Sequence, residues 1–319
     1  MISVVVPVLN EERNVPELYR RVRASLESAE VEFEIIYVDD GSTDRTAEIL
    51  HGLHANDGRV KSVHLTRNFG HQAAISAGLR AASGDAVVVM DGDLQDSPEA
   101  LPAFIERWRA GYEVVYAIRS RRQASWLKRL AYKIFYRVLG HISQISVPLD
   151  SGDFSLMERR VVDVLNAMPE RTRFVRGMRS WAGFRQTGIP LDRGERFAGK
   201  AKYTYAKLLR LAADGFLALS YRPLQLASLS GAVVSGVALL LAIFLIFLKV
   251  VHGIPLQGWT SLMVAVLFLG GVQLISLGIL GEYVGRIYDE VRDRPPYVVG
   301  QVVGKTRLEP GVPKGVDGG

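Results

Sequence analysis

The stretch FEIIYVDDGS, residues 33–42, decides the fold class. An apolar run typical of a buried β-strand leads directly into the acids Asp39 and Asp40, and the segment that follows, DRTAEILHGL, has helical spacing. A strand, a polar turn and a helix in this order form the repeating unit of a parallel sheet.

The same unit repeats along the first 120 residues or so. Strand patterns occur at ISVVVPVLN, VKSVHLT and DAVVVMDGD, and helical patterns lie between them. This alternation predicts an α/β fold, a doubly wound and mainly parallel sheet in which ligands bind beyond the carboxyl ends of the strands. A chain of 319 residues has room for two average domains or for one α/β domain with attachments.

Polar side chains gather where these strands end: Asn10, Glu11, Glu12, Asp39, Asp40, Ser42, Arg67, Asn68, Asp91, Asp93 and Gln95. One such cluster alone is more often a turn or a helix cap, but four of them meet at one edge of a parallel sheet. Asp91 and Asp93 alternate across one residue, so their carboxylates can share a hard cation with a side-chain oxygen such as that of Gln95. We expect Mg²⁺ or Mn²⁺ carrying a diphosphate, with Asp39 or Asp40 accepting hydrogen bonds from a base or ribose.

Cysteine is absent from the chain. This excludes a disulfide framework, thiolate metal sites and cysteine nucleophiles. The N-terminal stretch MISVVVPVLNEERN lacks the basic segment of a signal peptide and is interrupted by Pro7, so we expect the N-terminus to stay in the cytosol.

Two uncharged segments near the C-terminus, residues 223–248 and 259–281, indicate membrane helices. Each is long enough to cross a hydrocarbon core of about 30 Å, whereas buried helices of a soluble protein, the alternative, rarely extend so far without a charge. Basic residues flank the outer ends of the pair, which predicts a two-helix hairpin in the cytoplasmic membrane with both termini cytosolic. Residues 284–319 are expected to form a cytosolic tail, and its Pro- and Gly-rich part to be extended and partly disordered.

A basic amphipathic pattern occurs at SWLKRLAYKIFYRVL, residues 125–139. Its apolar residues share one helical face, which is typical of a helix lying on an anionic membrane, although a core helix with a solvated basic face fits as well. A second candidate, residues 205–222, leads directly into the first apolar segment. The cations nearest to a lipid phosphate at such a surface are Arg119, Arg121, Arg122, Lys128 and Arg129.

Several motifs in a fixed order resemble one known family. VVVPVLNEERN, VDDGSTD, RNFGHQAAISAGL, MDGDLQDSPE, DSGDFSLMERR and RFVRGMRSWAGF, with the paired apolar segments, look like the membrane-bound polyprenyl-phosphate glycosyltransferases of family 2, relatives of dolichol-phosphate mannose synthase. The resemblance covers nearly the whole chain. It implies a Rossmann-like GT-A domain over residues 1–204, an interfacial helix over 205–222 and two membrane spans within 223–283.

The activity that the resemblance implies is inverting transfer of a sugar from a nucleotide sugar, expected to be UDP-linked, to a polyprenyl phosphate such as undecaprenyl phosphate. The product would serve as a donor in cell-envelope glycan or lipid modification. We expect a lipid bilayer and a second copy of the chain as partners, and no nucleic acid. The Gln-x-x-Arg-Trp motif of processive polysaccharide synthases is not matched at Trp181, so a translocation channel within one subunit is not expected.

The resemblance also implies roles for individual residues. The metal motif falls on Asp91, Asp93 and Gln95. The nucleotide-binding positions fall on Pro7, Asn10, Glu12, Asp39, Ser42 and Gln72, together with Asp91. Arg119 best matches an arginine that binds the acceptor phosphate. The segments RTRFVRGMRSW and FAGKAKY are expected to form a lid that carries Arg173, Arg176, Lys200 and Lys202, of which Arg176 and Lys202 reach the acceptor phosphate.

Asp153, in DSGDF, matches the position usually proposed as the catalytic base, and Asp93 is the second expected catalytic residue. A phosphate monoester has its second pKa at about 6, so at pH 7 the acceptor phosphate is largely dianionic and needs little deprotonation before it attacks the sugar. Asp153 is therefore either a base or a residue that orients the sugar. Two other classes of function fit parts of the pattern: an Asp-x-Asp phosphatase, which would need Thr or Val where the chain has Leu94, and a membrane scaffold that binds nucleotide sugars without catalysis.

Overall fold

The computed structural model describes residues 1–119, 151–171, 173–191, 222–252 and 258–311. The chain forms two units: one contains the N-terminal sheet together with the residues from Pro295 onward, and the other contains two C-terminal helices. The predicted amphipathic segments at 125–139 and 205–221 lie outside the described residues.

The elements of the first unit alternate along the chain as predicted. In chain order they are β1 (Ile2–Val8), α1 (Val15–Ser28), β2 (Phe33–Asp39), α2 (Thr46–Asn56), β3 (Val60–Leu65), α3 (His71–Ala81), β4 (Ala86–Val89), a 3₁₀ turn (Pro98–Ala100), α4 (Leu101–Arg109), β5 (Val114–Arg119), β6 (Ser151–Glu158), α5 (Arg159–Ala167), α6 (Val175–Trp181), β7 (Gln186–Leu191) and β8 (Val299–Val303). The second unit contains α7 (Arg222–His252) and α8 (Trp259–Val291).

Eight strands form one sheet in the order β7-β5-β6-β4-β1-β2-β3-β8. The pairs β1–β2, β1–β4, β2–β3 and β5–β7 are parallel, whereas β4–β6, β5–β6 and β3–β8 are antiparallel. Most neighbours are therefore parallel, and the α/β fold class is confirmed.

Both faces of the sheet are covered by helices. Val4 and Val6 of β1 pack with residues of α1, α2 and α4, while Val5 of the same strand packs with residues of α3, α5 and α6. Because both faces are buried, the central strands are apolar at successive positions and do not alternate with polar residues. The polar residues are thereby displaced to the strand ends, where the candidate site lies.

The tail prediction is wrong for the residues just after α8. β8 pairs antiparallel with β3, so that Val303 lies opposite Ser62, and Gly311 forms a further bridge with Val299. Tyr297 is fully buried in the same segment. The physical reason is that YVVGQVV is rich in strand-forming residues and covers an edge of β3 that would otherwise be unpaired. The surrounding Pro and Gly residues masked this short strand in the sequence.

Both C-terminal helices extend beyond the predicted spans of 223–248 and 259–281. Among the residues that the structure describes, one segment, Val264–Val291, is long and apolar enough to cross a membrane by length and composition. The apolar segment Ala227–Leu241 of α7 is shorter. The structure thus has one candidate span where two were predicted, and the hairpin stays a prediction.

Candidate active site

The predicted donor-side acids and Asp153 meet because of the register between β4 and β6. Val89, the last residue of β4, lies opposite Ser155 of β6 in an antiparallel pair. Asp91 is two residues after Val89, and Asp153 is two residues before Ser155. Because the strands are antiparallel, both acids therefore come to the same edge of the sheet. This edge also receives the carboxyl ends of β1 and β2, because both run parallel to β4 or to its neighbour.

The turn after β4 presents Asp91 and Asp93, both half-buried. Gly92 between them lies against β1: a Cβ atom there would come within 3.1 Å of the Pro7 carbonyl oxygen. The backbone of Pro7 therefore packs closely against this turn. The Asp93 carboxylate accepts a hydrogen bond from the backbone N–H of Gln95 at 3.1 Å, which fixes the turn.

These residues fit a divalent cation that is shared with a substrate. In the described part of the chain, no group of three or more Asp, Glu, His or Cys side chains could hold a metal ion. Mg²⁺, however, is commonly held by one or two carboxylates and completed by substrate phosphates and water. Asp91 and Asp93, two half-buried carboxylates separated by one residue at the sheet edge, match that arrangement.

The predicted nucleotide-binding loops are tied to each other. The backbone N–H of Asn10 donates to Ser42 Oγ at 2.9 Å, and the backbone N–H of Thr43 donates to Asn10 Oδ1 at 2.8 Å. Glu12 accepts from the backbone N–H of Arg45 at 3.2 Å. The loops after β1 and β2 thus form one rigid surface, and the structure brings Asn10, Glu12 and Ser42 together as predicted.

Asp39 lies at the base of this surface, buried, with a hydrogen-bond partner for each of its carboxylate oxygens. Its Oδ1 accepts from the backbone N–H of Ser42 at 2.9 Å, and its Oδ2 lies 3.0 Å from His64 Nδ1. Burial would raise the pKa of Asp39, but the hydrogen bonds from His64 and Ser42 outweigh it and lower the pKa. Asp39 is therefore held as a carboxylate, ready to accept from a ligand.

Asp40 has a different task. Its two carboxylate oxygens accept from the backbone N–H groups of Phe69 and Gly70, at 2.7 and 2.9 Å. Burial raises its pKa. These bonds hold the loop that precedes α3, so both carboxylate oxygens of Asp40 are used within the protein. Of the two acids, Asp39 is therefore the better candidate for binding the nucleotide.

Gln72 is predicted to bind the nucleotide, and the structure gives its side-chain carbonyl another partner. Gln72 Oε1 accepts the backbone N–H of Val175 at 3.0 Å, which joins the start of α3 to the start of α6. The nucleotide contact of Gln72 stays a prediction.

His71, the first residue of α3, was not singled out from the sequence. Its Nε2 lies 3.5 Å from Asp91 Oδ1 and 3.5 Å from Asp153 Oδ2, so it bridges the donor-side acid and the predicted catalytic acid. Burial would lower the pKa of His71, but Asp153 and Asp91 together outweigh it and raise the pKa. The available signal was a polar residue at the start of the helix that follows the third predicted strand.

Asp153 is clamped by Arg176. Arg176 Nε donates to Asp153 Oδ1 at 3.1 Å and Nη2 donates to Oδ2 at 3.0 Å, a bidentate pair. Burial would raise the pKa of Asp153, but the hydrogen bond from His71 and the charge of Arg176 outweigh it and hold the pKa well below its usual range. A carboxylate so held is a weak proton acceptor, which favours the orienting role.

Arg179, one turn after Arg176, is the second residue that the sequence reasoning missed. It is fully buried, and its guanidinium carbon lies 5.2 Å from the centre of the Tyr116 ring. Burial lowers its pKa to about 10. In the sequence Ser180 separates Arg179 from Trp181, so the Gln-x-x-Arg-Trp motif is not matched and gives no signal for this arginine.

The lid prediction fails for Arg173. Its side chain is buried and donates to the carbonyl oxygens of Leu165 and Met168, so it caps the end of α5 and does not reach toward the diphosphate. Arg119 is the last residue of β5. The other predicted cations, Arg121, Arg122, Lys128, Arg129, Lys200 and Lys202, lie outside the described residues.

Asp91, Asp93 and the clamped Asp153 thus lie at the carboxyl edge of a mainly parallel α/β sheet. Residues 3–165 match the family described as Glycosyl transferase family 2. The chain belongs to this family.

Relatives match over almost their whole length. An uncharacterized glycosyltransferase of Synechocystis sp. is 44% identical, covering 95% of this chain and 96% of the relative. An SfII prophage-derived bactoprenol glucosyl transferase of Shigella flexneri is 43% identical, covering 93% and 97%. Among solved structures, the mannosyltransferase PcManGT from Pyrobaculum calidifontis in complex with GDP-Man and Mn²⁺ is 20% identical, with a TM-score of 0.48 over 68% of this chain and 62% of that one.

Proposed function

We propose that the protein transfers a sugar from a UDP-linked donor to the phosphate of a polyprenyl carrier in the cytoplasmic membrane. The observation that carries the proposal is the placement of Asp153 and Arg176 opposite Asp91 across the sheet edge, together with a relative named for bactoprenol glucosyl transfer. The product would be a polyprenyl-phosphate monosaccharide.

On the donor side, Asp39 would accept hydrogen bonds from the base or ribose, within the rigid surface formed by Asn10 and Ser42. Asp91 and Asp93, with Gln95 as a further oxygen ligand, would hold Mg²⁺ or Mn²⁺, which when bound neutralises the charge that builds on the departing diphosphate. Without such neutralisation the two carboxylates would repel the donor.

On the acceptor side, Asp153 and its partners would align the reacting groups and would not remove a proton from the lipid phosphate. The lipid phosphate is already largely dianionic at pH 7, so its oxygen can attack C1 of the sugar directly. The new C1–O bond forms on the face opposite the bond to the diphosphate, which breaks with inversion. Asp153, held by Arg176 and His71, would orient the sugar for this in-line attack.

Exposed apolar side chains on the C-terminal helices support a membrane location. Leu240 of α7 is 69% exposed and Leu274 of α8 is 72% exposed, among many similar residues along both helices. Extended apolar surface of this kind marks contact with lipid or with another protein. We propose two spans, with both termini and the catalytic unit in the cytosol, because basic residues flank the outer ends of the helical pair.

The test is a lipid-product assay. Membranes containing the protein are incubated with a panel of radiolabelled nucleotide sugars, and the extracted lipid is analysed for a labelled polyprenyl phosphate. UDP-glucose is the first donor to test, since a relative is named for glucosyl transfer. Asp93→Asn membranes are the control. A phosphoenzyme burst without sugar transfer would instead support the phosphatase, and UDP binding without any lipid product would support the scaffold.

A further inference from the structure

Arg179 is the most unusual side chain near the site. It is 1% exposed, and its Nε and Nη2 atoms have no hydrogen-bond partner among the residues that the structure describes. Within the described ranges it forms no ion pair either, and its guanidinium carbon lies over the face of the Tyr116 ring, 5.2 Å from the ring centre. A buried guanidinium is normally paired, because an unpaired one loses its hydration without replacement. A charge kept in so unfavourable a state suggests a function rather than a contribution to stability.

Its surroundings connect it to Asp153. Residues three apart lie side by side on a helix, so Arg179 is the neighbour of Arg176 on α6. Tyr116 lies opposite Ser155 of β6, and Asp153 is two residues earlier on the same face of that strand. The negative charge of Asp153 favours the charged form of Arg179, although no hydrogen bond joins them.

The two arginines differ in their access to a ligand. The side chain of Arg176 is 27% exposed, whereas that of Asp153 is 10% exposed and Arg179 is fully buried. An acceptor phosphate entering this region meets Arg176 first. Asp153 occupies the guanidinium edge formed by Nε and Nη2 of Arg176, so a phosphate that binds this same edge displaces the carboxylate.

We propose that Arg179 is a positioning residue that serves as the reserve counter-ion of Asp153. When Arg176 turns to the acceptor phosphate, the unpaired guanidinium of Arg179 keeps the Asp153 carboxylate charged and in place. The inference rests on the proposed function, because it needs a phosphate acceptor. It goes beyond that function by naming an arginine that acts through Asp153 and not on the substrate.

Stability separates this role from a structural one. Arg179→Met keeps most of the side-chain volume and removes a buried unpaired charge, a change that is often neutral or stabilising. We therefore expect an unchanged or higher unfolding temperature together with lower activity. A mainly structural arginine would give the reverse, with activity falling in proportion to the folded fraction.

The deciding experiment is a double-mutant cycle in the full-length membrane protein, using Arg179→Met, Asp153→Asn and the double variant. Arg179→Met should lower kcat about tenfold, whereas the same change made in Asp153→Asn should lower it less than about twofold, because the carboxylate on which it acts is gone. The donor KM should not change in either background. Arg179→Lys should restore part of kcat. The control is Arg185→Met, since Arg185 also stacks on a tyrosine, at 4.6 Å from the Tyr112 ring, but is exposed at the opposite end of β5.

Equal losses of kcat in the two backgrounds would overturn the inference, and so would a lowered unfolding temperature that accounts for the lost activity. Either result would leave the proposed function intact, because the parent protein would still make the lipid product. If the parent transfers no sugar to any polyprenyl phosphate, the proposed function fails, and the inference falls with it.

Discussion

Replacing Asp153 by Asn removes the negative charge from a site that contains Arg176, Arg179 and His71. If Asp153 were the base, it would have to take a proton from the acceptor phosphate, whose second pKa is about 6. Even an ordinary aspartate pKa of about 3.9 makes that transfer uphill by about 3 kcal/mol, at 1.36 kcal/mol per pKa unit. The salt bridge to Arg176 holds the pKa of Asp153 below that value, so the real cost is larger.

The sign of the pH effect follows from the direction of this shift. A carboxyl group whose pKa is lowered by folding stabilises the protein above its unfolded pKa and loses that contribution only as the pH falls further. Between pH 5 and 9 Asp153 therefore stays ionised, and the acidic limb of the rate profile belongs to the lipid phosphate. We expect Asp153→Asn to lower kcat/KM by about 10- to 100-fold through lost alignment, without moving a limb near about pH 6.

The assay is kcat/KM against pH for the parent and for Asp153→Asn, with a soluble short-chain polyprenyl phosphate as acceptor so that membrane delivery does not limit the rate. Circular dichroism and the donor KM serve as controls for folding and nucleotide binding. Recovery of the Asn variant at high pH, as the acceptor ionises by itself, would show that Asp153 removes a proton and would refute the orienting role.

Three further predictions concern the metal ion, the packing of the core and the membrane topology. Asp93→Asn should leave the protein folded and membrane-inserted but abolish transfer, as should EDTA added to the parent, and full activity in EDTA would end the metal hypothesis. Gly78→Ala should destabilise the protein by about 1–3 kcal/mol, measured by denaturant unfolding, since its Cβ would lie 2.2 Å from Val5 Cγ1, whereas Gly52→Ala, with nothing within 4 Å, should not. A cysteine placed at Arg292 should react with an impermeant label only from the cytosolic side of oriented vesicles, and labelling from the far side would overturn the hairpin.

What the sequence predicts well is the part of the site made by local units. Asn10, Asp39 and Asp91 each follow an apolar strand directly, and parallel strands place such residues at one edge whatever the details of packing. The alternation of strands and helices was therefore enough to bring the predicted donor-binding residues to one edge of the sheet. Arg173 shows the limit, because nothing in RTRFVRGM distinguishes an arginine that caps a helix from one that faces a ligand.

The acceptor side depends on long-range register, which local patterns do not encode. Asp91 and Asp153 meet only because β6 runs antiparallel to β4 with Val89 opposite Ser155, and a shift of one residue would turn Asp153 to the other face. His71 joins the same cluster as the first residue of α3, and Asp40, directly after β2, holds the loop that precedes this helix.

Hydrogen bonds join α3 both to the end of β2 and to the start of α6. Asp40 fixes the loop before α3, and Gln72 joins the first turn of α3 to α6, the helix that carries Arg176. His71, between these two contacts, touches a donor-side acid and Asp153. Any shift of α3 would therefore move His71 and the start of α6 together, and with them the clamp on Asp153. Under the proposed function, a change in the seating of the loops that bind the donor would therefore shift the alignment of Asp153, which is the coupling that an in-line transfer between two separately bound substrates requires.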